Sequence, residues 1–140
     1  MDGYRFTMPY RVRVADVNYG GHVSNAAVLN FFQDARIAYL ANLGPFTELD
    51  IGEGRGMILP EAQVHYLAEM FLHDDLLIGV KVTSLRNSAF VMEYRIERNG
   101  QPTAEGLTNL VAFDYAKRKA GRLPQPFRQA LCAFEAILDP

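Results

Sequence analysis

The stretch Asp16-Val-Asn-Tyr-Gly-Gly-His-Val-Ser-Asn25, followed by the apolar run Ala26-Ala-Val-Leu-Asn-Phe-Phe-Gln-Asp-Ala-Arg-Ile-Ala-Tyr-Leu40, decides how this chain folds. Paired glycines make a turn, and Ser24 or Asn25 is suited to cap a helix that starts there. Gly44-Pro45 ends that helix, since glycine supplies a C-terminal turn and proline refuses continuation. Its apolar residues Val28, Leu29, Phe31, Phe32, Ala35, Tyr39, Leu40 and Leu43 wrap most of the circumference, so the helix must be enclosed. A helix N-terminus offers unpaired N–H groups and a partial positive charge, which suit an oxygen gaining negative charge. One acid, one amide and one imidazole stand beside it: Asp16, Asn18 and His22.

Upstream, Tyr4, Phe6, Met8, Tyr10, Val12 and Val14 share one parity while Arg5, Thr7, Arg11 and Arg13 share the other. That alternation predicts a long half-buried strand, with Pro9 marking an edge or a bulge. Asp16 continues the apolar parity and is expected to point inward. Residues 45–56, rich in glycine, read as a mobile loop. Four strand patterns follow, near 57–66, 76–83, 89–97 and 104–115, with a tight Asn99-Gly100 turn between the last two. Lys117-Arg-Lys-Ala-Gly-Arg122 reads as a flexible basic connector, and Pro124 and Pro126 open a terminal helix. The only cover for the apolar helix is a sheet curling about it, and one sheet cannot enclose it fully. A partner copy is therefore expected to cover the rest.

Length and composition limit the function classes. The 140 residues suit one domain, and 49% apolar with 21% charged residues is a globular balance. A net charge of −2 gives no nucleic-acid footprint. The single Cys132 excludes an internal disulfide and fits a reducing compartment. The N-terminus does not read as a signal peptide and no apolar run reaches membrane-spanning length, so a cytoplasmic location without a membrane span is expected. His22, His65 and His73 lack close metal-ligand spacing, and no bound metal is expected. Phosphate-loop, dinucleotide and nucleophile-elbow motifs are absent.

The layout, with the segment Arg11 to Gly44, resembles the hotdog-fold acyl-CoA thioesterases of the 4-hydroxybenzoyl-CoA thioesterase type. The resemblance rests on Gly21-His22-Val and on Phe31-Phe32-Gln-Asp-Ala-Arg36. Val64-His-Tyr-Leu-Ala-Glu-Met, His73-Asp-Asp-Leu and Ala104-Glu-Gly are also similar. It implies an α+β hotdog fold over residues 1–140: a curled antiparallel sheet wrapped around a long buried helix, with a C-terminal helix. It implies hydrolysis of an acyl thioester, with coenzyme A or an acyl-carrier protein as part of the substrate and no separate cofactor. A homodimer or a dimer-of-dimers tetramer is the implied assembly. Members usually carry two acids spaced by one residue before the glycine, the second being the catalytic carboxylate. Here that second position is Asn18, and an amide takes no proton at neutral pH. The arrangement is similar in this respect to a polyketide-associated branch with Asp/Glu-x-Asn in the turn and an arginine on the helix.

Each candidate has a plain structural reading beside the functional one. Asn18 positions water, or closes an Asx turn. His22 accepts a proton from water, or bonds the turn backbone. Asp16 orients His22, or caps the turn. Gly20, Gly21 and Val23 bring backbone close to a ligand, or relieve local geometry. Asn25 meets substrate, or caps the helix. Arg36 meets the ligand, or pairs with an acid. Glu61 is a spare acid that a second subunit would bring to the turn. Lys117, Arg118, Lys119 and Arg122 meet coenzyme A phosphates, or form a solvated loop. Acyl-CoA binding without turnover stays open beside hydrolysis. So does thioester hydration, although that chemistry generally needs a histidine on the buried helix, and residues 26–43 contain none.

Overall fold

In the computed structural model, which describes all 140 residues, the chain runs β1 (Phe6–Arg11), α1 (Asn25–Leu43), β2 (Arg55–Tyr66), β3 (Asp75–Leu85), β4 (Ala89–Arg98), β5 (Gln101–Asp114), β6 (Lys119–Ala120) and α2 (Gln125–Glu135). The sheet order is β1-β3-β4-β5-β2, antiparallel throughout, with β6 added on β5. This is the expected α+β architecture of a curled sheet around one long helix. Asn99 and Gly100 both take positive φ, 51° and 76°, which matches the twist of the β4–β5 hairpin they join. Pro9 sits on β1, an edge strand, where a missing N–H is tolerated.

Alternation along β4 sends Phe90, Met92, Tyr94 and Ile96 to the face that holds α1. Phe32 stacks on Tyr94 with ring centroids 4.4 Å apart, and Phe31 meets Tyr10 at 4.6 Å. Each such buried side chain contributes about 1.5–3 kcal/mol of transfer free energy before entropy is counted. Helix α2 docks through Phe127, which touches both Phe46 and Phe90. At its far end Glu135 Oε2 accepts from the Tyr39 hydroxyl at 2.5 Å and from the Val82 N–H at 2.9 Å. Register on β3 shifts between Val82 and Ser84, so Glu135 supplies an acceptor where the ladder is irregular. No helix is long and apolar enough to cross a membrane.

Three expectations are corrected. The first strand ends at Arg11, because the Asp16 carboxylate accepts the Arg13 N–H at 2.8 Å and draws residues 14–16 into a 3₁₀ turn. Val14 consequently points to solvent, 71% exposed. Residues 45–56 are not a loose loop: Ile51 is fully buried, Asp50 and Thr47 close a turn, and Glu48 reaches α1. The basic connector is a hairpin, with Asp114 accepting from the Ala116 and Lys117 N–H groups before β6 pairs with β5. As expected, α1 is not covered all round in one chain: Leu29 and Ile37 remain 43% and 50% exposed.

Glu135→Ala removes an acceptor used by two donors. It should lower the unfolding free energy by roughly 2–4 kcal/mol, read as a reduced urea midpoint with an unchanged denaturant slope.

Candidate active site

The turn before α1 is built by its own polar groups. Asn18 Oδ1 accepts the Gly20 N–H at 2.9 Å, and the Asn18 carbonyl accepts the Gly21 N–H at 3.1 Å. This is the Asx turn that was the structural alternative for Asn18. Gly21 has φ +83°, a region in which any side chain is strained. A Cβ on Gly20 would lie 3.1 Å from His22 Nε2 and 3.3 Å from Asn18 Oδ1. The imidazole and the amide therefore converge over Gly20, and glycine leaves them room.

Asp16 does not orient His22. Its Oδ2 accepts from the Tyr10 hydroxyl at 2.6 Å and from the Arg13 N–H, which makes it the clamp of the 3₁₀ turn. Burial, reinforced by the bond to Asp16, pushes the Tyr10 hydroxyl up to about 12, so Tyr10 stays a donor. The Asp16 carbonyl accepts the Ser24 N–H at 2.9 Å and so ties the turn to the start of α1.

Ser24, not Asn25, caps α1, its hydroxyl accepting from the Ala27 N–H at 3.2 Å. The Val23 N–H donates to the Met70 carbonyl at 2.8 Å, so Val23 and Gly21 have no free donor for a ligand. Asn25 and Ala26 do: their N–H groups have no acceptor within the protein. Ala26 escaped the sequence reading because it offers only backbone; the signal was its place two residues after a capping serine.

His22, Val23 and Asn25 border a cavity of about 380 Å³ closed below by Val28 and Met70 and walled by Tyr66. The Tyr66 hydroxyl donates to the Asn25 carbonyl at 2.9 Å and pins the helix start to the end of β2. Glu69 and Met70 also line the cavity, and the chain just after them is held by Asp74, which accepts from the Phe71 N–H at 2.7 Å and from Arg98 at 2.9 Å. Phe71 in turn bridges to His22.

Arg36 is not at the turn. It lies eleven residues into a helix rising about 1.5 Å per residue, buried, with Nε donating to Glu48 Oε2 at 3.2 Å and Nη1 to the Tyr94 hydroxyl at 2.9 Å. Glu48 has no periodic signal in the sequence that would mark this role. Glu61 is also apart. Strand alternation beyond the β2 bulge puts it on the outer sheet face, where Asn109 donates to its carboxylate. His65 borders a separate outer hollow with Glu93 and Glu105. No group of three or more His, Cys, Asp or Glu side chains is gathered closely enough to hold a metal ion.

Residues 12–131 match the model of the thioesterase-like superfamily. The acyl-CoA thioester hydrolase YbgC of Escherichia coli O157:H7 is 30% identical over 122 residues, covering 86% of this chain and 90% of that one. A 1,4-dihydroxy-2-naphthoyl-CoA hydrolase of Synechococcus elongatus is 28% identical, covering 81% of this chain and 85% of that one. Among solved structures, a thioesterase from Thermus thermophilus complexed with coenzyme A and Zn superposes with TM-score 0.88. It is 29% identical, with 99% of this chain and 100% of that one covered.

Burial alone would raise the Asp74 carboxyl, but the Phe71 N–H and Arg98 outweigh it and hold it below the usual carboxylate range. The folded value thus lies below the unfolded one. The stabilisation is present above the unfolded titration near pH ~4 and is lost as pH falls through the folded value. Asp74→Asn should flatten the acid-side fall in stability, measured as urea midpoints between about pH 3 and 6.

Proposed function

The chain belongs to the thioesterase-like superfamily and is a thioester hydrolase, and we propose that it hydrolyses acyl-CoA at the N-terminus of α1 without a catalytic carboxylate in the turn. The observation that carries this reading is that Asn25, whose N–H is free, lines a cavity that His22 also borders, with the free N–H of Ala26 next in the chain. A thioester carbonyl lying there places its oxygen against two donors and the positive helix end. His22 Nε2 takes a proton from water as the water oxygen attacks the carbonyl carbon. The tetrahedral intermediate then collapses, the C–S bond breaks, and the departing sulfur takes the proton from the imidazolium. Asn18 keeps its amide nitrogen free to hold the water, because only its oxygen is used by the turn. Gly20 and Gly21 give the substrate close approach, and Val23 lines the cavity by its side chain. Asp16 acts through the turn it clamps.

Binding without turnover and hydration are not favoured: the named relatives are hydrolases, and no histidine stands on α1. Coenzyme A enters as part of the substrate, and these steps use no other cofactor. The relatives named for acyl-CoA, and the coenzyme A bound in the Thermus thermophilus thioesterase, support that choice of carrier. A second copy of the chain covers the free edge of β2, where Ile58, Leu59, Tyr66 and Leu67 are exposed beside Leu29 of α1. A cytoplasmic location suits both acyl-CoA and the free Cys132 thiol.

His22→Ala should lower kcat for thiol release from acyl-CoA by about 10²–10⁴-fold, with the melting midpoint little changed. Full activity in this variant would remove the imidazole from the mechanism. Leu59→Lys should shift the sedimentation coefficient from that of a dimer or tetramer to that of a monomer.

A further inference from the structure

The cavity at the start of α1 is bordered by one imidazole, His22, and one acid, Glu69. Glu69 follows β2, in the stretch that pairs with the turn. The pairing is antiparallel: His22 bridges to Phe71, and the Val23 N–H donates to the Met70 carbonyl. Residues opposed on such a pair share a face, and alternate residues return to it. Val23 and Met70 both point inward, 6% and 4% exposed. His22, Phe71 and Glu69 therefore share the other face. His22 and Glu69 are diagonal neighbours on it, a relation that spans about 7–8 Å and lies within reach of long side chains. This agrees with both residues bordering the one cavity.

The other acids near the start of α1 are spent. Asp16 holds the Tyr10 hydroxyl and the Arg13 N–H, with the Arg13 guanidinium over the Tyr10 ring. Asp74 holds the Phe71 N–H and pairs with Arg98. Glu48 lies farther along the seam between α1 and β2, bordering a second cavity of about 310 Å³. There it accepts from Gln33 and from Arg36, whose guanidinium uses two of its five donors. Glu69 enters the hydrogen-bond network through its carbonyl alone, to which Arg98 Nη1 donates at 2.9 Å. Its carboxylate has no partner in the chain. An anchored backbone thus presents a free carboxylate to the cavity that His22 borders.

His22 stands at the positive end of α1. The field that steadies an oxygen gaining negative charge also opposes an imidazole gaining positive charge. We propose that Glu69 offsets this opposition: its carboxylate faces His22 across the cavity and stabilises the imidazolium formed when His22 takes a proton from water. The proposal rests on the reading of His22 as the proton acceptor. The remaining groups around His22 supply no such counter-charge. The Asn18 amide is neutral, the Tyr66 hydroxyl is bonded to the Asn25 carbonyl, and Asp74 is balanced by Arg98. Glu69 keeps its own charge throughout. The proton passes from water to Nε2 and then to the departing sulfur, and the carboxylate neither takes nor gives one. Glu69 is thus a residue that acts through His22 and makes no bond to the substrate. Its side chain is exposed, so solvent screens it and the effect is moderate.

The test is steady-state thiol release from an acyl-CoA that the native protein turns over. Glu69→Gln keeps the shape and removes the charge. It should lower kcat about tenfold, with KM and the urea midpoint little changed. Glu69→Asp keeps the charge and should retain more of kcat than Glu69→Gln does. Added to His22→Ala, Glu69→Gln should cause no further loss, because the carboxylate has no imidazolium left to stabilise. Native kcat in Glu69→Gln, or a change confined to KM, would overturn the proposal. So would a lower kcat in Glu69→Asp than in Glu69→Gln, or an undiminished effect of Glu69→Gln in the His22→Ala background. Full activity in His22→Ala alone would instead overturn the reading of His22 beneath it.

Discussion

A charge buried between a helix and a sheet sets the terms for this fold. Arg36 sits in the middle of α1, the helix around which the sheet curls. An unpaired guanidinium there would cost several kcal/mol. Three separate segments meet that demand: Glu48 from the connection after α1, Tyr94 from β4, and Thr108 from β5 through Tyr94. The connection between α1 and β2 is ordered for the same reason, because it must carry Glu48 inward. That connection also accepts the first N–H groups of β2, with Met57 N–H bonded to the Glu48 carbonyl at 2.8 Å. The position of β2 beside α1, and hence the seam between them, follows from how the arginine is neutralised.

The two ends of that seam differ in chemistry. At its start the backbone supplies unpaired donors beside an imidazole. At its far end side chains supply a neutral but unsaturated polar pair. Between them the lining is apolar, from Val28, Leu29 and Phe32 against Leu59 and Ala62. The turn that starts the seam is stiffened from outside: Asp16 by Tyr10, Val23 by Met70, and Phe71 by Asp74 and Arg98. Under the proposed reading, the polar groups nearest the reacting carbon are thus held by bonds that do not themselves use the site.

Much of this was legible in the chain itself. Period-two alternation located β3, β4 and β5, and the apolar wrap of α1 required a sheet around it. Local hydrogen-bond choices were not legible. Asp16 had the parity of an inward strand residue until its carboxylate captured the Arg13 N–H and ended the strand early. Ser24 and Asn25 are both good caps, and only the geometry shows that Ser24 takes the role. Glu61 read as a spare acid that a second subunit would bring to the turn; within one chain the β2 bulge and Asn109 hold it on the outer face. Glu48 sits in a glycine-rich, aperiodic stretch, so nothing local marked it as the counter-charge of a residue twelve positions earlier. Donors with no side chain, such as the Ala26 N–H, carry no residue-type signature at all.

The central claim is that the thioester carbonyl rests on the first N–H groups of α1. The most direct measurement is a crystal structure with a non-hydrolysable acyl-CoA analogue, in which a methylene replaces the thioester sulfur and leaves a ketone. The account predicts the ketone oxygen about 3 Å from the Asn25 and Ala26 nitrogens, with the acyl group running along α1 toward Arg36. An oxygen bound away from the start of α1, or an acyl group lying on the outer face of the sheet, would contradict it.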